Sequence, residues 1–301
     1  MDGIILIDKV KDITSYDVVR KIKKHFNIDK VGHCGTLDPF ATGLLIIGIN
    51  QATKVMSFMQ HDYKEYVAKV KLGSSTDTCD LTGNVVSTSN INSFSKEQLE
   101  EVVNSFLGVI TQTPPIYSAI RIDGKHLYDY ARNNETVEIP TREVNIYDIK
   151  ILSLTDCEFE FYAKCSMGTY IRTLGVDIAK KLNNDAHLVE LRRLSIGDVS
   201  VNKANSYQDL LDGKVNVFDI REFINFKNVV TSDPRILKRV YNGQDIILKH
   251  ETEDTLLIVD GYINKVVAVY NKLEKDGFYR CYRGLYNEDI RFKRLEEIQK
   301  Q

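Results

Sequence analysis

No apolar run in this 301-residue chain approaches the roughly 18 residues a membrane-crossing helix needs, so no membrane partner is expected. The opening Met1-Asp2-Gly3-Ile4-Ile5-Leu6-Ile7-Asp8 lacks the basic region and cleavage pattern of a secretory leader. Cysteine is sparse and scattered, at Cys34, Cys79, Cys157, Cys165 and Cys281, with no Cys-x-x-Cys pair. That spacing indicates neither a metal site nor a disulfide framework, and a cytoplasmic setting is the simplest expectation. Internal repeats, low-complexity tracts and a Gly-x-Gly-x-x-Gly dinucleotide fingerprint are also missing. There is no excess of one charge, because 40 Lys and Arg face 42 Asp and Glu. Many nucleic-acid binders are strongly basic, but phosphate contact needs only one basic face.

What is present is typical of a globular protein, with 43% hydrophobic and 27% charged residues. The length makes two domains a fair expectation. The most informative stretch is Gly32-His33-Cys34-Gly35-Thr36-Leu37-Asp38-Pro39-Phe40-Ala41-Thr42-Gly43-Leu44-Leu45. It sets three glycines, a histidine and one carboxylate before the apolar run Leu44 to Ile49, which reads as a buried strand. Pro39 restricts the backbone of Asp38. By local rules Asp38 is the N-cap of a helix whose first residue is Pro39. A carboxylate facing a pocket from a stiff turn is the other reading, and the two are compatible.

Thr14-x-x-Asp17 predicts a capped helix through about Phe26, with Val18, Ile22 and Phe26 inward and Arg20, Lys21, Lys23 and Lys24 making much of the rest basic. Tyr66 to Leu72 alternates as a half-buried strand, and Ser95-x-x-Gln98 opens a second helix that Gly108 stops. Residues 114–144 interleave tyrosine with arginine, including Tyr117, Tyr128, Tyr130, Arg121, Arg132 and Arg142, and hold three of the five prolines. This texture suits a nucleic-acid-gripping insertion or a surface helix flanked by loops. A strand is expected over Phe159 to Cys165, then a helix from about Tyr170 to Leu182 with Thr169 as N-cap. Arg172 falls in its first turn, where the helix dipole disfavours a cation, so a nearby carboxylate or phosphate is expected. Beyond residue 230, a short helix bounded by Asp233-Pro234 and Asn242-Gly243 precedes alternating segments that read as a small, mostly-β module.

GHCGTLDPFATGLL resembles the signature Gly-His-x-Gly-x-Leu-Asp-Pro-x-Ala-x-Gly of the TruB-type tRNA pseudouridine synthases. The resemblance continues in order through most of the chain. Asp8-Lys9 with Thr14-Ser15, then Lys64-x-Tyr66, then Thr76-Asp77-Thr78-x-Asp80-x-x-Gly83 are similar to successive blocks. Pro114-Pro115-x-Tyr117-Ser118-Ala119 with Gly124-Lys125, Gly168-Thr169-Tyr170-Ile171-Arg172, and Leu191-Arg192-Arg193-Leu194 follow. The sequence departs at Val10 and Asp12, where the family usually has Pro and Gly, and at Met167, where Lys is common.

The resemblance implies an α+β fold. Residues 1–230 would form a catalytic domain with a mixed, largely antiparallel sheet and flanking helices, and 231–301 a PUA-like RNA-binding domain. It implies isomerisation of uridine to pseudouridine at position 55 of the tRNA T-loop, with no cofactor and no metal. The implied partner is the tRNA T-stem-loop, and a monomer is expected. Asp38 is implied as the catalytic carboxylate, Arg172 as its ion-pair partner, and Tyr66 as the stacking residue. His33 is placed near the vacated base position, and Lys9, Arg121, Arg132, Arg192 and Arg193 are RNA-contact candidates. A non-catalytic tRNA-binding or folding protein on the same scaffold is the competing class, and a PUA-linked RNA methyltransferase is disfavoured by the missing Gly-rich loop.

Overall fold

A computed structural model describes residues 2–59, 63–118, 120–133 and 135–300. Ala119 of the Pro114 block and the side chain of Tyr128 lie outside the described part. The larger sheet follows the order Asn205–Ser206, Gly3–Lys9, Thr42–Ile49, Ala186–Ile196, Tyr63–Leu72, Glu158–Ser166, Arg142–Leu154 and Gly108–Gln112. Most pairings are antiparallel, and Thr42–Ile49 meets Ala186–Ile196 in parallel.

Local sequence accounts for much of this. Tyr63–Leu72 buries Tyr66, Ala68, Val70 and Leu72 on one face, as period-two alternation requires. Thr42–Ile49 is apolar and buried from Gly43 onward because both of its faces are covered. Leu44 and Ile46 enter one core, whereas Leu45, Ile47 and Ile49 pack with Val18, Val19 and Ile22 of helix Ser15–Phe26. Thr14 and Asp17 form the expected capping box for that helix. Ser95 and Gln98 form another on Lys96–Asn104, which ends before Gly108.

Two local expectations fail. Pro39 does not open a helix: the amide of Ala41 donates to the carbonyl of Asp38 at 3.1 Å, closing a single turn before the strand. The apolar run directly behind it is drawn into the sheet, so no helical turn can propagate. Helix Ile171–Lys181 takes Tyr170 as its N-cap, not Thr169. The Gln112 carboxamide supplies the missing cap from a neighbouring strand, accepting from the Tyr170 amide at 2.8 Å and donating to its carbonyl at 3.0 Å.

A second sheet has the order Lys227–Thr231, Thr255–Asp260, Lys265–Lys272, Phe278–Gly284 and Ile246–Ile247. Helices Pro234–Tyr241 and Glu288–Gln299 cover one face through Leu237, Val240, Tyr241 and Ile298. Leu257, Val259, Val266 and Val269 turn the other way and share a core with Ile4, Leu6, Leu44 and Ile46 of the larger sheet.

Candidate active site

The segment between Cys34 and Thr42 is anchored from beneath by enclosed cations. Lys9 is 0% exposed and donates to the carbonyls of Val10, Ile13 and Pro39 at 2.9, 2.8 and 3.1 Å. Arg193, also 0% exposed, donates to Leu44 and Gly35 carbonyls at 2.8 and 2.9 Å. The Ser15 hydroxyl accepts from the Leu37 amide at 2.9 Å. These bonds place Asp38 at the top of a rigid loop.

Arg172 reaches Asp38 from the first turn of helix Ile171–Lys181, which packs in the same core as Leu37 and Tyr66. Its Nε lies 2.9 Å from Asp38 Oδ2, and its Nη2 lies 3.4 Å from Oδ1. The same guanidinium meets Asp80 Oδ2 at 3.2 Å and donates to the carbonyls of Thr78 and Tyr117 at 2.8 and 3.0 Å. A planar cation saturated in this way is a fixed template for a carboxylate. Asp80 is itself buried and held through Oδ1 by the amide and hydroxyl of Thr82 and the hydroxyl of Thr78. Burial raises the Asp38 pKa, opposed by Arg172, while the nearby Asp80 charge raises it further and Lys9 and Arg193 lower it.

Asp38, Tyr66 and Arg172 line one cavity together with Lys64, Ser118 and Tyr170. Tyr66 projects from the central strand with its body in the apolar core, and burial raises its hydroxyl pKa, so the phenol is neutral there. The three residues implied as a catalytic set are thus brought together. The other candidates are distributed differently. Lys9 and Arg193 are enclosed and spend their donors on backbone carbonyls, so they brace the Asp38 loop and present no surface to a phosphate. Arg192 pairs with Asp8 at 2.9 and 2.7 Å. It stands opposite Val67 in the sheet, whereas Arg193 stands opposite Tyr66, so Arg192 occupies the other face. His33 does not line the cavity; its Nδ1 is enclosed with no hydrogen-bond partner among the described residues, and burial and Arg193 both lower its pKa. Arg121 and Arg132 are exposed on the insertion, which consists of hairpin Arg121–Ile122 with Lys125–His126, followed by helix Leu127–Arg132.

Asp80, Lys64 and Ser118 fall in motif blocks of the resemblance, but the sequence assigned them no place in the site. The anomalous cation at the start of helix Ile171–Lys181 signals at least one anion, and the structure supplies two, Asp38 and Asp80. Among the described residues, no group of three or more His, Cys, Asp or Glu side chains could hold a metal ion.

The profile described as TruB family pseudouridylate synthase (N terminal domain) matches residues 23–171. The chain is 38% identical over 292 residues to a protein of Mycoplasma capricolum subsp. capricolum named tRNA pseudouridine synthase B, covering 96% of this chain and 98% of that relative. It is also 38% identical over 288 residues to a Staphylococcus aureus protein of the same name, covering 89% of this chain and 94% of the other. In three dimensions it is similar to a chain from the crystal structure of a Cbf5-Nop10-Gar1 complex, with a TM-score of 0.69 at 23% identity, covering 96% of this chain and 86% of that one.

Proposed function

This chain belongs to the TruB family of pseudouridylate synthases, and from that premise we propose that it isomerises uridine to pseudouridine at position 55 in the tRNA T-loop. The observation that carries the reading is Asp38 itself: a carboxylate on a braced loop, lining a cavity, with both oxygens met by one buried guanidinium. Pure RNA binding gains nothing from a negative charge facing the nucleic acid.

The target base leaves its stack so that the protein can reach the glycosidic bond. Its ring lies against Tyr66, and its ribose meets Asp38. Attack at C1′, attack at C6 and removal of the C2′ proton all begin from an ionised oxygen at this place. Arg172 keeps that oxygen ionised and aimed. The N1–C1′ bond breaks, the uracil turns, and C5 bonds to C1′. Nothing is oxidised and no group is gained or lost, so the isomerisation balances without a cofactor. Exposed cations of the insertion and of helix Ser15–Phe26 give the tRNA backbone its grip, and the smaller PUA-like sheet extends that grip. The protein works in the cytoplasm, as a monomer.

The test is single-turnover pseudouridine formation on unmodified tRNA with no added cofactor. Wild-type protein is expected to convert the tRNA. Asp38→Asn is expected to lose at least about 10³-fold in rate, by analogy with removal of an essential catalytic group. Its fold and tRNA affinity should persist, because Arg172 keeps Asp80 and the Thr78 and Tyr117 carbonyls. Tight binding by wild-type protein with no product would favour the RNA-folding alternative.

A further inference from the structure

Lys64 stands two places before Tyr66 on Tyr63–Leu72, so both side chains leave the same face of the sheet. That face fronts the cavity, which Lys64 lines together with Asp38, Arg172 and Ser118. The other nearby cations are committed. Arg172 is divided among two carboxylates and two carbonyls, and Arg193 is enclosed on backbone carbonyls. The Lys64 ammonium makes no hydrogen bond or ion pair among the described residues. The Cβ that Gly35 lacks would lie 3.4 Å from Lys64 Nζ and 3.4 Å from Arg193 Nη1, so two cations converge beside Gly35. Burial and Arg193 lower the Lys64 pKa, and the only titratable groups with an opposing influence are the thiols of Cys34 and Cys165. Burial raises both thiols, Cys165 to about 11, so neither supplies a negative charge near neutrality.

A half-enclosed ammonium without a counter-ion is unfavourable. An anion arriving in the cavity would offset that cost. The Ser118 hydroxyl, which lines the same cavity, is likewise enclosed, 7% exposed, and has no hydrogen-bond partner among the described residues. The cavity that Asp38 and Arg172 line therefore also holds unsatisfied donors.

Building on the uridine-isomerisation reading, we propose that Lys64 is a further catalytic residue whose ammonium holds the uracil anion formed when the glycosidic bond breaks. The N1–C1′ electron pair stays with the base, and the negative charge spreads onto O2 and O4. Electrons for C1′ come from an Asp38 oxygen or from the C2′–H bond. Lys64 donates hydrogen bonds to a carbonyl oxygen and transfers no proton. When C5 of the anion bonds C1′, C5 releases its proton and N1 takes one up, so composition is unchanged. The ammonium gains little from neutral uridine and much from the anion, which is differential stabilisation of the kind that raises turnover.

The experiment compares wild type, Lys64→Met and Lys64→Arg on unmodified tRNA, reading tRNA affinity and single-turnover rate separately. An inactive wild type would overturn the isomerase reading itself, and this proposal with it. With an active wild type, Lys64→Met is expected to lose about 10²–10³-fold in rate at saturating enzyme with little change in affinity, and Lys64→Arg to recover part of the loss. A Lys64→Met rate within about threefold of wild type would overturn the proposal. So would a defect that saturating enzyme abolishes, since that marks a phosphate contact. Should Lys64→Met fail to fold, the alkaline pH profile decides. The wild-type rate should fall as Lys64 loses its proton, below the pH of an ordinary lysine, whereas Lys64→Arg stays charged and lacks that limb. Tyr66, Cys34, Cys165 and Lys9 titrate in both proteins and cancel in the comparison. Superimposable profiles would overturn the proposal.

Discussion

Asp38 acquires its character from residues far away in the chain, Arg172 lying 134 positions distant. The motif around Asp38 singles it out as a reactive carboxylate, and the misplaced cation at Arg172 singles out its need for an anion. Asp80 stands in a motif block of the resemblance but receives no role from the sequence, because its neighbours read as an ordinary polar loop. Only the folded chain shows one guanidinium shared by two carboxylates. A pH dependence follows. As the proposed catalytic carboxylate, Asp38 must be ionised, and burial, opposed by Arg172, raises its pKa. As pH falls, protonation therefore begins above the ordinary carboxylate range near about 4. The single-turnover rate should show an acid limb centred above that value, measured where tRNA stays bound. A rate that remains flat down to about pH 4.5 would contradict it.

At the scale of the element, the loop from Gly35 to Leu44 is held by its approach to Ala186–Ile196. Gly43 has φ +106, and a Cβ there would lie 2.2 Å from the Arg193 carbonyl oxygen. Glycine is required on both counts, backbone angle and contact with a neighbouring backbone. Gly43→Ala should therefore cost about 3 kcal/mol or more and displace Asp38. Thermal unfolding and single-turnover rate are both expected to fall; an unchanged melting temperature would refute the close approach. Asp12 illustrates the same constraint in reverse. It takes φ 66, the left-handed region, at the place where the resemblance leads one to expect Gly. Aspartate tolerates that conformation better than most residues. Its amide donates to the Pro39 carbonyl at 2.9 Å, so the departure keeps the turn that supports the Asp38 loop. The helices with capping boxes are legible locally, since each box is a contact three residues apart. Glu288–Gln299 is not, because it buries only Arg294 and Ile298 and owes its place to Arg294 meeting Asp260 at 2.9 Å.

Across the whole molecule, the two sheets share a core. We propose that the smaller one serves RNA binding and leaves the chemistry to the larger. Its first strand begins at Lys227, and its inner face packs Leu257 and Val259 with Ile4 and Leu6. A chain ending at residue 226 would bare that apolar surface. Its melting temperature should fall by about 5 °C or more, a few kcal/mol for a chain of this size. Turnover at saturating enzyme should survive, and tRNA affinity should weaken. Loss of turnover in truncated protein that still folds would refute this division of labour.

Residue order alone determined what depends on neighbours close in the chain: the helices with capping boxes at Thr14 and Ser95, and the alternating and continuous strands. It also isolated Asp38 and Arg172, each in an unusual local pattern, whereas Tyr66 reads as an ordinary strand residue that only the family resemblance marks. Lys9 and Arg193 look like surface cations in the sequence, and the structure encloses both. Nothing local distinguishes a lysine facing RNA from one facing three carbonyls; sheet register decides it, by setting which face each side chain leaves. Register likewise puts Arg192 and Arg193 on opposite faces and sets Lys64 beside Tyr66 on the cavity wall. Charge at the site is thus a tertiary property, because an ion's energy depends on the burial and partners that only the assembled sheet provides.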